Sequence, residues 1–404
     1  MPGDQRPILL ITHTDRDGLL SGAALLRSLE RRPSVEVLIT QGSYLAAELE
    51  DLDASGCRFE KIYVTDTYWH PPHADRVVSG LQAILSPGGS VAWIDHHPSS
   101  VEHEEAIRAR LALSAESSII GDRAGKHEAV SIVAAVFDLA EDPVVSSLLK
   151  AVANGWTRNG GVMPEGVAHW MDVVDGLSRC PDLPAEHAGD IVRGLACGFE
   201  ATVPDHLKPL GEITRQVRAR TNILREKEWL RLPTVDGGWG VFLDLHDESE
   251  VNTYELAIGL YRASGGYIDY FITQENPSGM HYVSGPSARR ERDALEGGGG
   301  LPPLRVSTMH KGRNGKGVSW RTRHGIDLAY LTRRQPASDF LGPWIDAHPY
   351  IVKAPWKRQG NGEEADKLEA VAGLIGESMR DMLNTYGWCD ADRCRRTWKP
   401  VVEG

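Results

Sequence analysis

Four short apolar runs, each leading into or out of a helical repeat, constrain this chain more than any other feature. Ile8–Thr12 has the continuous hydrophobicity of a strand buried on both faces. Leu19–Glu30 follows with Leu19, Ala23, Leu26 and Leu29 on one helical face. Val35–Thr40 predicts a second strand and Ser43–Leu52 a second helix, then Lys61–Thr65 and Ser90–Ile94 two further strands around a helix over Ala74–Leu81. Repeated βα units of this length predict an α/β domain built on a doubly wound parallel sheet. Helices are expected at His127–Ala140, Val144–Ala153 and Gly166–Val174.

Beyond residue 184 the pattern changes. Residues 185–233 read as a mainly helical connector, and residues 234–360 as a smaller α+β domain with strands at Gly240–Asp244, Tyr267–Thr273 and Val318–Arg323. A last helix, Glu363–Leu383, lies in the tail 361–404. A length of 404 residues accords with more than one core.

The strand ends carry the chemistry. After Ile8–Thr12 comes His13-Thr14-Asp15-Arg16-Asp17-Gly18, after Lys61–Thr65 comes Asp66, and after Ser90–Ile94 comes Asp95-His96-His97. In a doubly wound sheet all three clusters gather at the carboxyl edge, where such folds bind ligands. One such Asp is ordinarily a helix N-cap, and a His pair is ordinarily structural. Three clusters at three strand ends go beyond capping. Carboxylates crowded together raise each other's pKa, and a divalent cation relieves the repulsion. Carboxylate and imidazole donors without thiolate suit Mn²⁺, with Mg²⁺ or Co²⁺ as alternatives.

Charge points the same way. The net charge is −12, which argues against a general binder of long nucleic acid. Residues 301–360, however, hold eleven Lys/Arg against Asp327, Asp339 and Asp346, a net of +8. An acidic part for cations and a basic part for phosphates fit a phosphoesterase, although a basic stretch is as often a solvated face. The five cysteines include no C-x-x-C pair, which disfavours a zinc site or a disulfide framework. No run is long enough to span a membrane, and Ile8–Ile11 is too short for a secretory core, so a cytoplasmic protein is expected.

The run from Thr12 to Gly22 resembles the first motif of the DHH phosphoesterases, Val64-Thr65-Asp66 the second, and Asp95-His96-His97 the signature triplet. That superfamily includes RecJ-type exonucleases, nano-RNases, cyclic-dinucleotide phosphodiesterases and family-II pyrophosphatases. The resemblance implies a hydrolase with two metal ions. His13 and Asp15 would hold one ion, Asp17 and His96 the other, and Asp66 would bridge them. His97 would face the substrate phosphate, with Asp95 orienting the neighbouring imidazole. Gly18 would allow the tight turn into the helix.

The family's fourth motif normally adds an Asp after the helix matching Val144–Ala153, but residues 153–160 contain no acid. Asn154, Asn159, Asp172 and Asp175 are the candidate substitutes. In the second domain, Arg321 and Arg323 resemble an arginine-bearing substrate strand, two residues apart and so on one face. Gly342-Pro343-Trp344 with His348 would correspond to a glycine-rich substrate loop. The expected substrate is a phosphodiester in a short oligonucleotide or signalling nucleotide, bound by Arg321, Arg323 and His348. The alternatives are a phosphomonoesterase or pyrophosphatase acting on a small metabolite, and a non-catalytic scaffold. No membrane partner is expected, and a homodimer is allowed.

Overall fold

In the computed structural model the described residues are 7–29, 35–67, 73–97, 118–121, 127–153, 162–233, 239–245, 248, 251–264, 268–274 and 282–296, with the short strands 304–308, 310–311, 318–319, 346–348 and 351–354. The chain forms two compact units. One comprises residues 1–215 and 280–296, the other residues 216–279 and 297–404. The units thus divide at 215/216, within the stretch read from the sequence as a connector.

The first unit begins with strand β1 (Ile8–Thr12) and helix α1 (Arg16–Ser28), then β2 (Val35–Ile39), α2 (Leu45–Ala54), β3 (Phe59–Thr65), α3 (Ala74–Ile84), β4 (Leu85–Asp95) and β5 (Ser118–Gly121). The five strands are all parallel in the order β2-β1-β3-β4-β5. Alternate residues serve opposite faces, as the pleat requires. Ile8, Leu10, Tyr63, Ala92 and Ile94 join a core with α1, while Leu9, Ile11, Ile62, Val64, Val91 and Trp93 join another with α2 and α3. Each fully buried Leu or Ile contributes about 1.5–3 kcal/mol. The doubly wound parallel sheet is therefore present, with β5 as a fifth strand that the periodicity of Ser118–Gly121 was too short to reveal.

Helices α4 (Ala129–Val136), α5 (Pro143–Val152), α6 (Glu165–Leu177) and α7 (Ala185–Cys197) complete the layer around α1, followed by α8 (Lys208–Arg225). α5 starts where the sequence signals a start: Asp142 caps it through Val144 and Val145, with Pro143 at the first helical position.

The second unit contains β6 (Leu230–Pro233), β7 (Trp239–Asp244), α9 (Thr253–Ala263) and β8 (Ile268–Gln274). After these, α10 (Pro286–Glu296) belongs to the first unit. The chain then supplies β9 (Leu304–Thr308), β10 (His310–Lys311), β11 (Val318–Ser319), β12 (Asp346–His348) and β13 (Ile351–Ala354). Six strands form a mixed sheet in the order β12-β13-β9-β8-β7-β6. Leu243, Leu256, Ala257 and Phe271 lie at its core. The α+β character matches the expectation. Arg321, Arg323 and the helix expected at Glu363–Leu383 lie outside the described residues, and His348 closes β12.

Candidate metal centre

Register brings the three clusters level. Thr12 pairs with Thr65, and Thr65 with Ile94, so His13, Asp66 and Asp95 leave three neighbouring strands at the same height. The order β2-β1-β3 also makes the β1/β3 boundary a switch point, where the connections diverge and a crevice opens.

The turn from β1 into α1 is held tightly. Thr65 Oγ1 donates to Thr12 Oγ1 at 3.0 Å, and the hydroxyls of Thr12 and Ser21 both donate to the Gly18 carbonyl. Asp15 is the N-cap of α1: its Oδ1 accepts from Gly18 N–H at 2.9 Å, while Oδ2 stands 3.2 Å from His13 Nδ1. Capping and site-building thus share one carboxylate. Gly18 is needed for close approach, not for an unusual backbone angle. A Cβ there would lie 2.6 Å from the His13 carbonyl oxygen and from His13 Cβ. The tight turn expected at Gly18 thus rests on its missing Cβ.

Asp66 follows β3 with φ of 51°, in the left-handed region that Asp tolerates better than most residues. Its N–H donates to the Ile94 carbonyl, and the adjoining Thr67 carbonyl accepts from the buried Trp93 indole. The side chain is 1% exposed, yet neither carboxylate oxygen has a hydrogen-bond partner among the described residues. The buried Nδ1 of His13 also lacks one. Burying an unpaired carboxylate costs several kcal/mol, so these orphaned atoms fit a cation.

His96 Nε2 lies 3.2 Å from Asp66 Oδ1 and 3.7 Å from Asp17 Oδ2. Its Nδ1 faces the His127 carbonyl at 3.1 Å, which can only accept. That contact assigns the proton to Nδ1 and leaves the Nε2 lone pair toward the carboxylates. His97 Nδ1 donates to Asp95 Oδ1 at 2.8 Å, so Asp95 orients His97. Burial lowers the His97 pKa, but the Asp95 hydrogen bond and charge, with Asp15 and Asp17 beyond, hold it above the ordinary value.

Potential ligand atoms cluster within 4.8 Å of one another in three overlapping sets: His13, Asp15 and Asp66; Asp66, His96 and His97; and Asp17, His96 and Glu128. With Asp95 bound to His97, all seven residues singled out in the first domain therefore converge. Glu128 is an addition that no motif signalled. Burial drives the Asp66 pKa well above the carboxylate range, helped by Asp15, Asp17 and Asp95. Asp17 is pushed up to about 6 by burial, against two backbone hydrogen bonds and the charge of His96. Asp15 goes the other way: desolvation raises it, but the neighbouring His13 imidazole and the Gly18 N–H hold it well below the usual range.

The proposed substitutes for the fourth-motif acid fare differently. Asp175 is gripped by Arg16, Nε to Oδ1 at 2.6 Å and a second guanidinium nitrogen to Oδ2. Asp172 lies 3.5 Å from Arg215. Neither joins a ligand set among the described residues, which corrects both expectations. The bidentate pairing explains why: a fixed guanidinium fork satisfies both oxygens of Asp175. Asn154 and Asn159 lie outside the described residues.

No family model matches the sequence, and no curated protein matches it. Solved structures do. A DHH-domain structure described as a member of a family of ribosomal proteins is similar over 92% of this chain and 87% of its own, at 14% identity and a TM-score of 0.54. Exonuclease RecJ bound to manganese aligns over 93% of this chain and 92% of its own, at 13% identity and a TM-score of 0.46. CDC45 from Entamoeba histolytica aligns over 93% and 95%, at 7% identity and a TM-score of 0.48. Among the described residues no helix is long and apolar enough to cross a membrane. With its parallel sheet in the order β2-β1-β3-β4-β5 and Asp95-His96-His97 at the end of β4, the chain has the fold of the DHH-domain proteins.

Proposed function

We propose that this protein is a hydrolase that cleaves a phosphodiester in a short oligonucleotide or signalling nucleotide, using two divalent cations, Mn²⁺ before Mg²⁺ or Co²⁺. The observation that carries the reading is Asp66: a buried carboxylate with no hydrogen-bond partner among the described residues, shared by two of the ligand sets they form. His13 and Asp15 would hold one cation, Asp17 and His96 the other, and Asp66 both. A bound cation pair supplies an activated water and charge neutralisation at the phosphoryl oxygens.

The remaining work falls to the chain. The His127 carbonyl keeps His96 in the tautomer whose Nε2 is unprotonated. Asp95 accepts from His97 Nδ1 and raises the basicity of the ring, which would suit its far edge to meet a phosphate oxygen. Neighbouring rings of His96 and His97 stand edge to face, 4.7 Å between centroids, which limits rotation of both.

Turnover of dinucleotides, cyclic dinucleotides, single-stranded DNA and pyrophosphate in the presence of Mn²⁺ tests the proposal. Hydrolysis of a dinucleotide or short strand is expected; turnover of pyrophosphate alone would replace the diester reading with the small-metabolite one. Mn²⁺ should also raise the melting temperature, and the increment should grow from pH 5 to pH 7. The sign follows from linkage. Asp17 and Asp66 have raised pKa values in the folded protein, so without cation their effect on stability worsens as the pH rises through about 6. The cation binds the ionised carboxylates and reverses that loss. A Mn²⁺ increment that is flat or shrinks over this range contradicts the site.

Arg321, Arg323 and His348, in the basic stretch 301–360, would contact substrate phosphates. Replacing both arginines by alanine should raise KM on a short oligonucleotide about tenfold or more, the loss of one or two charge-assisted contacts, and leave Mn²⁺ binding unchanged. Wild-type KM on every phosphate substrate would reduce the stretch to a solvated face.

A further inference from the structure

The segment leading into α4 reaches the metal centre with four consecutive residues. The His127 carbonyl faces His96 Nδ1, and the N–H groups of Ala129 and Val130 donate to the two oxygens of Asp17 at 2.7 and 3.1 Å. Between them stands Glu128, at the N-cap position of α4.

An N-cap side chain ordinarily accepts from the first-turn N–H groups, and Glu is poorly suited to do so. Here it does not: Glu128 makes no capping hydrogen bond. Asp17, from α1 and more than a hundred residues earlier, caps the helix instead. Glu128 is thereby released from the task its position would assign. Its carboxylate lies within 4.8 Å of ligand atoms of Asp17 and His96. Beside the same His96 Nε2, at 3.2 Å, stands the buried and unpartnered Asp66 Oδ1.

Three carboxylates around one imidazole repel one another when ionised, and a shared cation relieves that repulsion. We propose that Glu128 is a direct ligand of the cation held by Asp17, His96 and Asp66, occupying the coordination position for which residues 153–160 carry no acid. The inference rests on the two-cation reading and completes it. Three carboxylates and one imidazole form a hard, oxygen-rich set, which suits Mn²⁺ or Mg²⁺ rather than a thiophilic ion. The other cation, with His13, Asp15 and Asp66, has no part of Glu128.

The test is calorimetric titration of the full-length protein with Mn²⁺ alone, with unbound Mn²⁺ counted by electron paramagnetic resonance. Glu128→Gln keeps the shape and removes the charge. The exposed Glu165→Gln serves as a control. Wild type and control should bind two Mn²⁺. In Glu128→Gln one dissociation constant should rise about 10–100-fold, the range seen even for groups that merely support a ligand, while the other stays put. Because Glu128 is exposed, caps nothing and repels Asp17, the cation-free variant should melt no lower than wild type. Two wild-type affinities in Glu128→Gln would overturn the assignment and leave the two-cation reading intact. A wild-type protein that binds no Mn²⁺ would overturn both.

Discussion

On the proposed two-cation function, Asp66→Asn should lower phosphodiester turnover about a thousandfold or more and abolish the expected stabilisation by Mn²⁺, while the cation-free protein melts no lower than wild type. The first part follows from the shared position of Asp66 in two ligand sets. Loss of several kcal/mol of charge stabilisation at the reacting phosphate corresponds to a factor of this size. The second part follows from burial. At 1% exposure and with no hydrogen-bond partner among the described residues, the ionised carboxylate is a liability to the cation-free protein, and a neutral amide removes the repulsion from Asp15, Asp17 and Asp95. Asn is the informative replacement because residue 66 has a positive φ of 51°. Asn tolerates that conformation, whereas Ala would add about 1–2 kcal/mol of backbone strain and confuse the result. An Asp66→Asn protein that retains the wild-type Mn²⁺ melting shift would exclude Asp66 as a ligand.

A different effect, on stability alone, is expected at Glu48. This residue of α2 is 2% exposed and receives three hydrogen bonds from the segment before α10: Ser284 N–H at 2.6 Å, Ser284 Oγ at 2.7 Å and Gly285 N–H at 2.8 Å. Asp51, one helical turn on, accepts from Ser287 N–H at 2.8 Å and starts α10. Val283 and Ala288 pack on Tyr44 and Ala47 beneath these bonds, and Arg76 links Glu50 to Glu291. Glu48→Ala strands three donors at once. Hydrogen bonds to a charged group are worth about 1.5–3 kcal/mol each, but burial also raises the Glu48 pKa, so removing the carboxylate recovers part of its desolvation cost. The expected net loss is about 2–4 kcal/mol by chemical denaturation, with Glu48→Gln losing less because it keeps an acceptor. A loss below about 0.5 kcal/mol would mean that the segment is held by its apolar contacts alone.

Seven polar residues of the candidate metal centre were legible in the sequence because each stands in a cluster that directly follows a strand. In βα units the strands run parallel, so strand ends converge without any knowledge of distant contacts. His13, Asp15, Asp17, Asp66, Asp95, His96 and His97 required only the alternation of apolar runs and helical repeats. Asp15 shows that the capping and site readings of an Asp after a strand are compatible: one oxygen caps α1 and the other faces His13.

Other features depended on partners far along the chain. Glu128 follows no predicted strand and belongs to no motif. It joins the centre because Asp17 has taken over the capping of α4. Asp175 sits near enough in sequence to replace the missing acid, but Arg16 claims both of its oxygens across 159 residues. The segment around Ser284 returns to α2 across 236 residues to satisfy a carboxylate whose burial the amphipathic pattern of α2 does not reveal. Local periodicity determines which residues form strands and helices, since it depends on neighbours one to four positions away. Which buried carboxylate pairs with which donor is settled by packing: several partners are chemically equivalent, and only the tertiary arrangement brings one of them within about 3 Å.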